Sequence, residues 1–311
     1  MKRNIIKIGI ITTLSSISIS ALADQNFEVG TFSGERNLTY SIDSSGADSK
    51  YGSPTSKLDF DGSKVSGVYI GYKIEDRFSY SHFKGTIGYG SSDGVFDDKD
   101  WYSKSYANSI SSDELFSWTK SKSQIDQDLT FSFDSGKYLY SNPFGFDKSS
   151  VGFGTYAQYT SYTGKGLTKI KGSAPNYNDN IDVISIENYF FEGNINFKGT
   201  KYLSKNLYFD IELYLSPYQY QYMSDTHILR SDLGDPSVEI ARTGYGARSK
   251  VSLSYDVNDY SIKLWGEFYK YNDYGSGKVV FHSSDGTSSS TGFDSLTMSG
   301  NSIGLSLSKS F

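Results

Sequence analysis

The chain has 311 residues, 30 Lys+Arg against 35 Asp+Glu, 27 Tyr, 20 Phe, five Pro and no Cys. Without cysteine there is no disulfide framework, thiolate metal site or cysteine nucleophile, and a net charge of −5 argues against a nucleic-acid partner, which requires a basic face. A mean hydropathy of −0.46 excludes a bundle of transmembrane helices, each of which takes about 20 mostly apolar residues.

Residues 1–23 carry Lys2, Arg3 and Lys7, an Ile-rich stretch ending at Ile19, and the small-residue site Ala21-Leu22-Ala23. This is the pattern of a cleaved secretory signal peptide. The apolar run is too short, and too broken by Thr and Ser, for a membrane anchor. The mature protein is expected to span residues 24–311 as one domain outside the cytoplasm.

From residue 26 onward the dominant period is two. Segments near 26–42, 55–72, 77–92, 124–138, 149–167, 180–197, 204–222, 237–255, 259–274 and 296–311 are predicted strands. Leu207, Phe209, Ile211, Leu213 and Leu215 alternate with Tyr208, Asp210, Glu212 and Tyr214, giving one apolar and one wetter face. Tyr260, Ile262, Leu264 and Phe268 alternate with Ser261, Lys263, Trp265 and Glu267 in the same way. Strands this long strain a soluble-sandwich reading.

The last strand decides between the two. Ile303, Leu305, Leu307 and Phe311 share a face, and the terminal Phe311 resembles the C-terminal signal of bacterial outer-membrane barrels, although Lys309 stands where an aromatic is usual. Secretion, alternation, abundant Tyr for interfacial girdles and the final Phe predict an all-β fold, a ten-stranded antiparallel transmembrane β-barrel. Its apolar face meets lipid and its polar face lines the interior. With both termini periplasmic, 43–54, 93–123, 168–179, 223–236 and 275–295 become long external loops, and 73–76, 139–148, 198–203 and 256–258 periplasmic connections. Ten strands enclose little more than side chains. Inward Asp210, Glu212, Lys263 and Glu267 are expected to pair across that space.

Chemistry-bearing residues concentrate in the predicted external segments. Of three histidines, His82, His227 and His282, only His227 stands in Ser224-Asp225-Thr226-His227, where strand geometry puts Asp225 and His227 on one face. A carboxylate beside an imidazole fixes its tautomer and stabilises the imidazolium, as a general base acting on water requires. Asp97-Asp98-Lys99-Asp100-Trp101 places Asp98 and Asp100 on a shared face as well. Two close carboxylates do not both ionise cheaply, so one proton tends to be shared between them. A Ca²⁺-binding or merely solvated acidic tip is the other reading of that stretch.

Together these residues resemble a family. Gly30-Thr31-x-Ser33-Gly34, Ser56-Lys57-Leu58-Asp59-Phe60, Asp98-x-Asp100-Trp101, Trp118-Thr119, Asp225-x-His227 and the terminal Phe311 follow in the order and rough spacing of the omptins. The resemblance implies a ten-stranded outer-membrane endopeptidase whose two dyads face each other across a cleft at the external rim. His227 with Asp225 would activate a water that attacks the scissile carbonyl, while Asp98 and Asp100 hold that water and manage protons on the tetrahedral intermediate. It implies no metal or other cofactor. The partners are a peptide or protein substrate and outer-membrane lipid, including lipopolysaccharide.

The departures concern specificity. Where the family continues after Trp-Thr with an acid, a serine and His-Pro, this chain has Lys120-Ser121-Lys122-Ser123-Gln124. The family's preference for basic residues at the bond rests on two acidic pocket residues, whose places here are assigned to Asn37 and Met223, with Glu35 as the residue a small shift in the first strand would restore. The arginines many omptins use for lipopolysaccharide phosphates are not evident, and Thr160 stands near one such place. The alternative function is a non-catalytic omptin-like barrel acting as an adhesin or surface-binding protein.

Overall fold

Alternating side chains build nearly the whole chain into antiparallel strands. The computed structural model describes residues 24–311 apart from 92, 142 and 276; the expected signal peptide, 1–23, lies outside the described residues. The strands are β1 (Asp24–Asp43), β2 (Tyr51–Glu75), β3 (Ser79–Gly90), β4 (Gly94–Tyr102), β5 (Leu115–Tyr138), β6 (Lys148–Lys171), β7 (Tyr177–Tyr202), β8 (Leu207–Thr226), β9 (Leu233–Val257), β10 (Tyr260–Asp273), β11 (Gly277–Ser283) and β12 (Ser288–Ser310). A short helix, α1 (Lys104–Ser109), caps the β4–β5 connection, with the Ser103 hydroxyl accepting from the Tyr106 N–H.

β3 and β4 both pair with β2 and β5, and β10 and β11 both pair with β9 and β12, so each couple is one interrupted barrel strand. β1 pairs with β2 on one side and β12 on the other, which closes the sheet. The result is a ring of ten antiparallel positions, as the sequence predicts. Among the described residues closure leaves no free edge to the main sheet, the condition for crossing lipid with strands.

Val29, Val68, Ile70, Ile87, Phe131, Phe153, Phe191, Ile195, Leu215, Leu253, Ile262, Leu264, Ile303 and Leu305 are exposed on the outer face and form the lipid belt. Tyr89, Tyr189, Tyr220 and Tyr245 edge it on the side away from the chain termini, and Tyr202, Tyr255 and Tyr260 on the terminal side. Inside the belt the charges neutralise one another. Arg36 pairs with Asp128 at 2.8 Å, Glu212 with Lys84 and Lys198 at 3.2 Å, and Glu267 with Arg248 at 3.5 Å. Lys263 lies 3.6 Å from Glu28, while Asp210 accepts from Thr200 at 2.7 Å. Of the four residues expected to pair across the interior, Glu212 and Lys263 reach charges on non-neighbouring strands, Glu267 pairs with the adjacent strand, and Asp210 is held by the hydroxyls of Thr200 and Ser252.

Above the belt the strands continue, and their polarity inverts. On β1 the apolar residues switch from outward Phe27 and Val29 to inward Leu38, Tyr40 and Ile42; on β9 they switch from outward Val251 and Leu253 to inward Val238 and Ile240. There water bathes the outer wall, so burial rewards apolar side chains only on the inside. Leu58, Phe60, Phe96, Ile184, Ile186, Met223, Leu296 and Met298 complete this apolar layer, which fills the distal barrel.

This extension corrects the expected loops. Segments 93–123 and 275–295 are largely strand, forming β4, the start of β5, β11 and the start of β12, and the connection between β8 and β9 is only 227–232. Both faces of these segments are polar or mixed, which hides strand from a reading that looks for an apolar outer face.

Candidate active site

β4 presents Asp98 and Asp100 on its inner face, because residues two apart on a strand point the same way. The intervening Asp97 and Lys99 point outward. There the Trp118 Nε1 donates to Asp97 at 2.7 Å, and the ammonium groups of Lys99 and Lys120 lie 5.0 and 5.2 Å from the indole centre. These contacts fix β4 against β5, and with it the direction of the Asp98 and Asp100 side chains. Asp100 stands opposite Ser56 on β2 and Ser117 on β5.

β8 presents Asp225 inward, five residues beyond the belt-edge Tyr220, ~16 Å along the strand. His227 is the first residue past β8. Its N–H donates to the Ser237 hydroxyl at 2.9 Å, and its carbonyl accepts from the Arg230 N–H at 3.0 Å. Nδ1 of His227 lies 3.2 Å from Oδ1 of Asp225, an ion-pair contact not aligned as a hydrogen bond. The second oxygen of Asp225 accepts from the Tyr40 hydroxyl, which reaches it from β1 across the barrel.

The electrostatics join the two dyads. Burial, then the charge of Asp100, pushes the Asp98 carboxyl up to about 7; Asp225 adds to this, and His227 opposes it. Asp100 is raised by burial, with the hydroxyls of Ser56 and Ser117 and the charges of His227 and Arg230 working the other way. Burial disfavours the His227 imidazolium, but the charges of Asp225 and Asp98 outweigh it and hold its pKa above the ordinary value. The site can therefore keep one proton on the aspartate pair and offer an imidazole base oriented by Asp225.

Asp98, Asp100, Asp225 and His227 come close enough to act on one another's charge, and of the other expected site residues only Met223 lies beneath them. Met223 lies inside, 1% exposed, in the apolar layer below Asp225. Asn37 and Glu35 do not line that interior. They alternate with inward Arg36 and Leu38, so both point outward: Asn37 accepts from the Gly62 N–H at 2.7 Å, and Glu35 faces Asn301. That N–H belongs to a residue at φ +63°, a conformation glycine adopts freely, at the bulge where the β1–β2 register slips. The interior position on this stretch of β1 is Leu38. Thr160 also faces inward, donating to Asp128 at 2.9 Å, and so does not meet lipid.

His82 is buried near the terminal end of the barrel, beside a cavity of about 500 Å³ lined also by Lys73, Glu75 and Lys148. His282 sits on the outer wall, 2.7 Å from Glu239. Tyr40, Leu38 and Arg230 are the site neighbours that sequence reasoning missed. The even-numbered apolar run Leu38, Tyr40, Ile42 was the available signal for the first two.

A closed ten-position barrel with an apolar outer belt and an ion-paired interior defines a transmembrane β-barrel. Its fold is similar to the crystal structure of the outer membrane protease OmpT from Escherichia coli, an omptin, with a TM-score of 0.69 over 93% of this chain and 96% of that one, at 15% identity. The toluene transporter TodX from Pseudomonas putida (8% identity, TM-score 0.27, 92% of this chain and 89% of that one) and a Pseudomonas aeruginosa FadL homologue (6%, 0.30, 92% and 90%) are too distant in shape to bear on the reading. No protein-family model and no curated protein sequence matches the chain.

Proposed function

We propose that this barrel is an outer-membrane endopeptidase with its site facing the cell exterior. The observation that supports the reading best is the meeting of two dyads, four ring positions apart, at the barrel end opposite the termini. A water held between His227 and the Asp98–Asp100 pair would lose its proton to Nε2 as it attacks a peptide carbonyl. Asp225 stabilises the imidazolium that forms, and the proton on the aspartate pair is available to the developing oxyanion. The proton on His227 then passes to the leaving amine. No Ser or Cys nucleophile takes part.

The apolar layer beneath the site also favours surface chemistry over passage of solutes, since it closes the distal barrel below the carboxylates. Outer-membrane lipid, with lipopolysaccharide in the outer leaflet, would surround the belt. The test is cleavage of a peptide library by refolded wild type beside His227→Ala. Cleavage by the wild type alone is expected; a folded wild-type barrel that cuts nothing would overturn the reading in favour of a surface-binding protein.

A further inference from the structure

Asp225 is 1% exposed and has two oxygens to satisfy. One faces His227 Nδ1 at 3.2 Å. The other takes the hydroxyl of Tyr40, which is itself fully buried among the apolar side chains of the distal barrel. β1 and β8 are not neighbours: β9, the β10/β11 strand and β12 lie between them on the shorter way round the ring. The bond therefore crosses the barrel lumen and forms the floor beneath the two dyads.

We propose that Tyr40 is the positioning residue of the site, locking Asp225 so that it faces the Nδ1 edge of His227 and leaves Nε2 open to water. The inference rests on the endopeptidase reading for its consequence in turnover, but not for its effect on His227. A phenol donating to a carboxylate draws negative charge away from the other oxygen. Removing that donor leaves a stronger charge against the imidazolium and frees the carboxylate to rotate. The charged groups that act on His227 are Asp225 on β8, Asp98 and Asp100 on β4, and Arg230 and Asp232 in the following turn, its backbone N–H is held by the Ser237 hydroxyl on β9, and Tyr40 from β1 reaches it through Asp225 while also lying near Asp98. Tyr40→Phe changes one donor among them and keeps the ring.

The experiment is an NMR titration of His227 in ¹⁵N-histidine-labelled, refolded barrel, run beside peptide-cleavage kinetics. For Tyr40→Phe the His227 pKa is expected to rise by about half a unit or more, with kcat falling about tenfold and KM little changed. Tyr40→3-fluorotyrosine, an isosteric and stronger donor, is expected to shift the His227 pKa downward and serves if the phenylalanine variant fails to fold. In an Asp225→Asn background Tyr40→Phe should add little further loss, since it acts through Asp225. An unchanged His227 titration in both Tyr40 variants would overturn the proposal. Inactive wild type with the expected shifts would instead overturn the endopeptidase reading and leave the positioning role supported.

Discussion

His227 and Asp98 act on each other's charge although they come from strands four ring positions apart: the imidazolium lowers the Asp98 pKa, and the carboxylate raises that of His227. Their protons therefore titrate as a set. Activity is expected to fall on the acid side with an apparent pKa above the ordinary imidazole value of about 6.5, because His227 must be neutral to act as the base. Asp225→Asn removes the larger of the two stabilising charges and should move that acid limb to lower pH. A kcat/KM profile whose acid limb is the same in both proteins would contradict the assignment of His227.

Each member of the two dyads should be required. His227→Ala, Asp225→Asn, Asp98→Ala and Asp100→Ala are expected to lose about 10²–10⁴-fold in kcat while the unboiled barrels still run faster than boiled ones on a gel. His82→Ala near the terminal end and His282→Ala on the outer wall should retain activity, and a chelator should leave it unchanged. Inhibition by chelation would show that the carboxylates hold a metal.

Asp98 ties activity to stability. Burial and the charge of Asp100 push its carboxyl up to about 7, above the ordinary 3.8, so the native protein binds this proton more tightly than the unfolded chain. Its stabilising contribution is complete below the lower value and is lost as pH rises through the higher one. Asp98→Asn should therefore unfold at higher urea than wild type at pH 8, by on the order of 1–2 kcal/mol, with the difference closing near pH 4. Parallel stability curves for the two proteins would rule this out.

Specificity should depart from a preference for paired basic residues. The inward side chains directly below the dyads include Leu38, Met223 and Met298, so a substrate Arg resting on that floor meets apolar side chains there in place of carboxylates. Initial rates on matched peptides with Leu-Arg or Arg-Arg at the bond are expected to be similar or to favour Leu-Arg, and Met223→Asp should shift the balance toward Arg-Arg. Glu35→Gln should change nothing, since its side chain points away from the interior. A hundredfold preference for Arg-Arg in the wild type would refute the apolar assignment.

The interior pair Arg36–Asp128 carries a separate test of the fold. Both side chains are buried, and Asp128 also accepts from Gln158 at 2.6 Å. Arg36→Ala strands a buried carboxylate and is expected to destabilise the barrel by about 3–5 kcal/mol, read as a lower urea midpoint in detergent. A change of less than about 1 kcal/mol would mean that water reaches Asp128 freely.

The sequence by itself determined what local periodicity can encode. Side-chain alternation gave the ten ring positions, and spacing of two put Asp98 with Asp100 and Asp225 with His227 on common faces. It did not show how far the strands run, because the segments above the belt exchange an apolar outside for an apolar inside, and 93–123 and 275–295 then read as polar loop. Alternation also decided Glu35 and Asn37, once Arg36 was anchored inward by Asp128; without that long-range partner the phase of the first strand was ambiguous by one residue. Barrel closure decided the rest. Only the ring brings β1 to face β8, so that Tyr40 meets Asp225 across 185 residues of sequence, and only the ring sets β4 opposite β8, so that two ordinary dyads share one charge balance.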